Sequence, residues 1–154
     1  MKYCFVISII FVFQTAFAGT DHHEHNALGE SKVVLTLNHG QKWSTDKPLR
    51  ENMSAIHNHI KASLNKIHNQ KMTDRDYHDL SKKIRENIDA IFANCKLTPE
   101  ADAQLHIVLA GMLSANSKVS GKLSQKDKAS AVMEILENYK AYLKHFEHSE
   151  TKAH

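Results

Sequence analysis

The sequence predicts an all-α protein: an antiparallel up-down-up-down four-helix bundle with an N-terminal extended segment. Three observations predict it. Four stretches carry apolar residues at intervals of three and four, the spacing that gathers them on one face of a helix. Each stretch opens near a threonine, serine or aspartate able to cap a helix. The connections around 70–73 and 95–98 are so short that the helices they join must be antiparallel neighbours.

The chain begins with Met1-Lys2, an apolar run from Cys4 to Phe17, and Ala16-Phe17-Ala18 just before Gly19. A basic start, an apolar stretch and small residues at the positions a signal peptidase reads are the marks of a secretory leader. Residues 1–18 are therefore expected to be a signal peptide. The run is too short and wrongly flanked for a stop-transfer helix, so no membrane span is expected after cleavage. Residues 19–34 read as a flexible, His-containing tail, polar and without periodicity as far as residue 30.

Residues 32–38 are rich in β-branched and aliphatic side chains and end at Asn38-His39-Gly40, a turn signal. No second strand-like run offers them a partner. They are expected to lie along the helices, pinned by Trp43. The bundle domain spans 35–148, and 149–154 is a C-terminal tail.

Helix 1 is expected over 47–70, capped by Thr45 or Asp46 with Pro48 in its first turn. Its stripe is Leu49, Met53, Ile56, Ile60, Leu64 and Ile67. Helix 2, over 74–95, starts with Thr73-Asp74-Arg75-Asp76, a capping box with Asp in place of the usual Glu. Its stripe runs from Tyr77 through Ile91 to Cys95. Helix 3, over 99–117, opens on Thr98-Pro99-Glu100: a cap, a proline at the first position and an acid in the first turn. Helix 4, over 125–147, opens on Ser124-Gln125-Lys126-Asp127. Its stripe is Val132, Ile135, Leu136, Tyr139, Tyr142, Leu143 and Phe146.

Loss of the leader removes Lys2 and leaves a formal charge of +2, against +3 for the whole chain. Acids and bases alternate along the helices, which argues against a nucleic-acid surface. Cys4 is lost with the leader. Cys95 is then the one thiol, so it has no intramolecular disulfide partner. It reads as a buried inert thiol, a metal ligand, or half of an intermolecular bridge. No serine, cysteine or paired-carboxylate catalytic pattern is present, and the protein is expected not to be an enzyme. A thiol at a helix C-terminus is raised in pKa rather than activated.

Bundle connectivity gathers the start of helix 1, the end of helix 2, the start of helix 3 and the end of helix 4 at one end. At 1.5 Å per residue, Met53 falls level with Ile91, Asp102 and Tyr139, with Cys95 and His145 nearer the rim. Met53, Cys95 and His106 are the candidate metal ligands there. Met, Cys and His together suit copper; His with carboxylate also suits zinc. All 12 histidines fall after residue 18. His22, His23 and His25 in the tail are a further ligand set for copper or zinc. The second reading is an electron carrier with a b-type haem held between Met53 and His145. Covalent c-type attachment is ruled out because no Cys-x-x-Cys-His occurs. The third is a cofactor-free protein with a protein partner.

Three segments resemble an uncharacterised family of small exported proteins of Gram-negative bacteria. They are Leu35-Thr36-Leu37-Asn38-His39-Gly40-Gln41-Lys42-Trp43-Ser44-Thr45-Asp46-Lys47-Pro48-Leu49-Arg50, Asn94-Cys95-Lys96-Leu97-Thr98-Pro99-Glu100-Ala101-Asp102-Ala103-Gln104-Leu105-His106, and Ala141-Tyr142-Leu143-Lys144-His145-Phe146-Glu147-His148. The resemblance covers most of 35–148. It implies a periplasmic helical bundle and no established activity. The family pattern includes methionine at the Met53 position, and the matched segments carry Cys95, His106 and His148. It does not require histidine at His57. His148 falls on the outer face of a straight helix 4 and folds back only if that helix ends near Phe146.

Overall fold

The computed structural model describes residues 34–149. The expected signal peptide, most of the expected tail with His22, His23 and His25, and residues 150–154 lie outside the described residues. Four helices follow one another: α1 Lys47–His68, α2 Asp74–Asn94, α3 Pro99–Val119 and α4 Gln125–His145. No strand is present among the described residues, only two isolated bridges.

Each helix starts where a side chain satisfies its free amides. Asp46 accepts from the amide of Leu49, Thr98 from Ala101 and Ser124 from Asp127. Thr73 and Asp76 form the full reciprocal capping box. α1 stops at Asn69, followed by Gln70 at φ +53°. α2 stops because Cys95 turns extended, three residues before the Thr98-Pro99 start of α3. α4 ends at His145, two residues earlier than the expected range, with Phe146 already extended.

The stripes meet in one core. Leu49, Met53, Ile56 and Ile60 of α1, Ile84 and Ile88 of α2, Met112 of α3, and Val132, Ile135 and Tyr142 of α4 are fully buried. α3 packs most extensively on α4, and α1 on α2. Lesser α2–α3 and α1–α4 seams close the ring. At one end, Lys66 near the end of α1 reaches Asp76 at the start of α2. Two buried polar groups bind α2 to α3: Asn116 Nδ2 donates to the carbonyl of Ser81, and Ser81 Oγ donates back to that of Asn116.

The N-terminal segment has no strand partner and lies against the bundle. Asn38 and Gln41 exchange backbone hydrogen bonds across His39 and Gly40. Both central residues have positive φ, the two-residue turn that favours glycine at its second position. Trp43 then pins the segment, as expected. Its indole donates to the carbonyl of Thr36, its amide to His145, and its own carbonyl accepts from Glu147. Thr36 is held in turn by Gln104 of α3.

Candidate functional site

The α1 start, the α2 end, the α3 start and the α4 end do meet at one end of the bundle. Asp46 is the junction. Its Oδ1 accepts from the Leu49 amide at 3.0 Å and its Oδ2 from the Lys96 amide at 2.6 Å. Oδ1 also receives the Cys95 thiol, with Sγ 3.5 Å away. One carboxylate therefore caps α1, fixes the chain leaving α2 and holds the thiol. Helix placement explains the geometry: Cys95 is the α2 C-cap, and antiparallel packing sets it beside the α1 N-cap.

Cys95 is half-buried and free. Burial pushes its pKa up first, and the Asp46 carboxylate adds to the rise, taking it to about 12. The direction agrees with the sequence argument. The cause is desolvation and a carboxylate, where the sequence pointed to the helix C-terminus.

A groove of about 560 Å³ opens between the end of α2 and the start of α3. Cys95, Asp102 and His106 line it, with Phe92, Leu97 and Leu105 as its apolar walls. Phe92 is 48% exposed. His106 Nδ1 lies 2.8 Å from the Asp102 carbonyl and 3.4 Å from the Asp102 carboxylate. Both oxygens can only accept, so Nδ1 carries the proton of the neutral ring. That leaves the Nε2 lone pair unused by these contacts. Such an Nδ1–H contact is the arrangement that orients an imidazole for ligation.

The three expected inner ligands do not share one environment. Cys95 and His106 line the same groove, but Met53 is absent from its lining and sits at 0% exposure among core side chains. The His106 side chain is 54% exposed, so it is an outer ligand or none. Its position on the α3 helix, off the stripe, left both directions open in the sequence. Among the described residues, no three His, Cys, Asp or Glu side chains are gathered as a metal site.

The proposed haem ligands are also separated in role. Met53 is spent in core packing. His145 closes the last turn of α4, its Nδ1 2.8 Å from the Ala141 carbonyl. Tyr142 and Phe146 fill the space around that end and are both fully buried.

A second cluster lies along the α1–α4 seam. Because α4 ends at His145, His148 folds back. Its Nε2 lies 3.1 Å from Ser54 Oγ and its Nδ1 3.0 Å from the Tyr142 hydroxyl. His57 stacks on Tyr139, with ring centroids 4.8 Å apart and planes 3° from parallel. Either charge state of His148 can use both hydroxyls, since a hydroxyl both donates and accepts.

Sequence reasoning missed Phe92 on the groove wall, which was legible as an apolar residue beside, not on, the α2 stripe. Asp46, outside the groove lining, was legible only as a helix cap; its grip on Cys95 depends on tertiary placement. No protein-family model, curated protein or solved structure matches this chain.

Proposed function

We propose that this chain is a non-enzymatic, exported protein that binds a transition-metal ion, copper or zinc, in the α2–α3 groove. The observation that carries the reading is the sharing of that groove by the Cys95 thiol and the His106 imidazole. The imidazole has its Nδ1 engaged by Asp102, which leaves Nε2 as the ligating atom. Sulfur and imidazole donors together favour late transition metals. Residues 1–18 support export to the periplasm, where the uptake would occur.

The ligand set differs from the one the sequence suggested. Met53 is replaced by groove access, and His106 ligates from the outside. His22, His23 and His25 stand as a separate, weaker tail site.

The test is metal analysis of protein recovered from the periplasm, together with an absorbance spectrum and the mass of its N-terminus. About one equivalent of copper or zinc that falls on replacing Cys95 with Ser or His106 with Ala supports the reading. A mature mass beginning at Gly19 supports export. Metal content indifferent to both substitutions sinks the groove site, and a Soret band would establish haem instead.

A second reading has its own observation. Phe92 stands half-exposed on the wall of the same groove, beside partly buried Leu97. An apolar anchor of this kind suits a cofactor-free protein contact. Metal-free protein whose partner binding is lost in Phe92→Ala would favour it.

A further inference from the structure

α4 carries two seams. The inner one, Val132, Ile135, Tyr139 and Tyr142, is buried in the core. On the outer side Lys126, Ser130, Met133, Glu137 and Lys140 are all exposed and follow at intervals of four, three, four and three. That spacing is the heptad pattern of a helix-pairing seam. Leu123, just ahead of the helix, extends it and is 44% exposed; Met133, near its middle, is 39% exposed. Ser130 and Met133 form the rim of two depressions, one on each side of this crest. The more apolar of them, about 520 Å³, lies between the end of α1 and the start of α4, with Ile67, Met72 and Ala129 in its wall.

The charges on the seam suit a second copy of the same chain. Among the described residues Lys126 is in no ion pair. Glu137 binds Lys140 at 2.7 Å, but both side chains are about two-thirds exposed, and such a pair exchanges partners at little cost. An antiparallel pair of α4 helices centred midway between 126 and 137 sets Lys126 against the partner's Glu137. It also sets Ser130 against the partner's Met133 and the stem of Lys140 against the partner's Leu123. Each opposition occurs twice, as a two-fold interface requires. Centring the pair on Met133 would set Lys126 against Lys140, and a parallel pair would set every charge against its own copy. Charge therefore selects one register and one orientation. The small side chains of Ala129 and Ser130 leave room for the opposing methionine, an unbranched side chain that adapts to an irregular gap. The whole chain carries a formal charge of only +3, so two copies repel weakly.

We propose that the outer face of α4 is a homodimer interface. Two copies pair antiparallel about a two-fold axis. Met133 of each sits against Ala129 and Ser130 of the other, at the mouth of the α1–α4 groove, and Lys126–Glu137 bridges close both ends. The interface uses none of the residues of the α2–α3 groove. From 126 to 140 the paired stretch is roughly 20 Å long at 1.5 Å per residue. That is short for a permanent dimer, so the assembly is a reversible one.

The experiment is sedimentation velocity on the full chain over a range of concentrations, with a reductant present so that Cys95 forms no intermolecular disulfide. The parent should pass from monomer to dimer with a Kd of about 10–100 µM, the weak end for a specific interface. Lys126→Glu and Glu137→Lys each place like charges together at both ends and should each weaken the dimer about tenfold or more. Carried in one chain, the two substitutions restore the opposition, and the Kd should return to within about threefold of the parent value. An equimolar mixture of the two single variants should likewise form a heterodimer. Met133→Lys should weaken the dimer more than about 30-fold, as loss of a central anchor does. All three positions are exposed, so far-UV circular dichroism should be unchanged in every variant. A parent that stays monomeric at about 1 mM, or a dimer indifferent to Met133→Lys, overturns the interface. A dimer lost in both single charge variants and not regained in the double one overturns the antiparallel pairing.

Discussion

The Cys95 thiol points across the α1–α2 junction at Asp46 Oδ1, 3.5 Å away, and the same carboxylate holds the backbone on either side of it. A structural cap and a reactive group thus share one acceptor. The consequence is a thiol that stays protonated at neutral pH, its pKa pushed up to about 12 by burial and by the Asp46 carboxylate. Because the thiolate is the nucleophile, iodoacetamide should label native Cys95 at least about 100-fold more slowly than the urea-unfolded chain. Asp46→Asn keeps a good helix cap and removes the charge, so labelling should accelerate. Equal rates in the native wild type and Asp46→Asn would show that burial alone protects the thiol.

The same group sets the alkaline limit of stability. The Cys95 pKa is raised in the folded state from the ordinary 9.0 to about 12. A raised pKa means that the folded chain holds its proton more tightly. The contribution is therefore complete below pH 9 and is lost as pH climbs toward 12. Burial raises Tyr142 and Tyr77 in the same sense from 10.0. The urea midpoint should fall steadily above pH 9, and less steeply in Cys95→Ser. A flat profile from pH 9 to 11 would contradict these burials.

At the acid end the Thr73–Asp76 box contributes. Hydrogen bonds from the Thr73 amide and hydroxyl, with Lys66 beyond them, hold Asp76 at a pKa of about 2. A depressed pKa contributes above 3.8 and is lost as pH falls through 2. Thr73→Ala should cost about 1 kcal/mol at pH 7, the usual worth of an N-cap. It should also blunt the acid transition, as read by circular dichroism.

The C-terminal strap should matter more than its length suggests. Phe146 is fully buried, and residues 145–147 pair with Trp43. Phe146→Ala should cost about 3–5 kcal/mol, as other buried aromatics do. His148→Ala leaves the buried Tyr142 hydroxyl short of a partner and should cost about 1–3 kcal/mol. Trp43 fluorescence should shift to the red in Phe146→Ala. Unchanged emission would mean that the strap does not hold the indole.

Much of this bundle is visible in the sequence because burial and periodicity coincide. The stripe Leu49–Met53–Ile56–Ile60 is buried in full, and Thr73, Thr98 and Ser124 begin helices where capping chemistry requires. Trp43 could be read as a pin because an extended segment without a strand partner needs an anchor. The site was less legible for physical reasons. His106 lies off its stripe, and spacing alone does not say whether such a residue turns in or out. Met53 lies on its stripe, where core packing and ligation call for the same residue type. The fold-back of His148 depends on α4 stopping at His145, a matter of two residues.

Met53 separates these two roles in a last prediction. Fully buried and absent from the groove lining, it should behave as packing. Met53→Leu conserves volume and should cost less than about 1.5 kcal/mol, while Met53→Ala opens a cavity and should cost about 2–5 kcal/mol. Neither should change the affinity for copper or zinc once folding is verified. Proton release should instead follow Cys95: between pH 7 and 9, with the thiol protonated beside Asp46, Asp102 and Tyr142, each ion bound displaces one proton. Affinity should then rise about tenfold per pH unit. In Met53→Leu that slope should persist, and in Cys95→Ser it should vanish. Loss of metal binding in a well-folded Met53→Leu would return the methionine to the ligand set and move the site from the groove into the core.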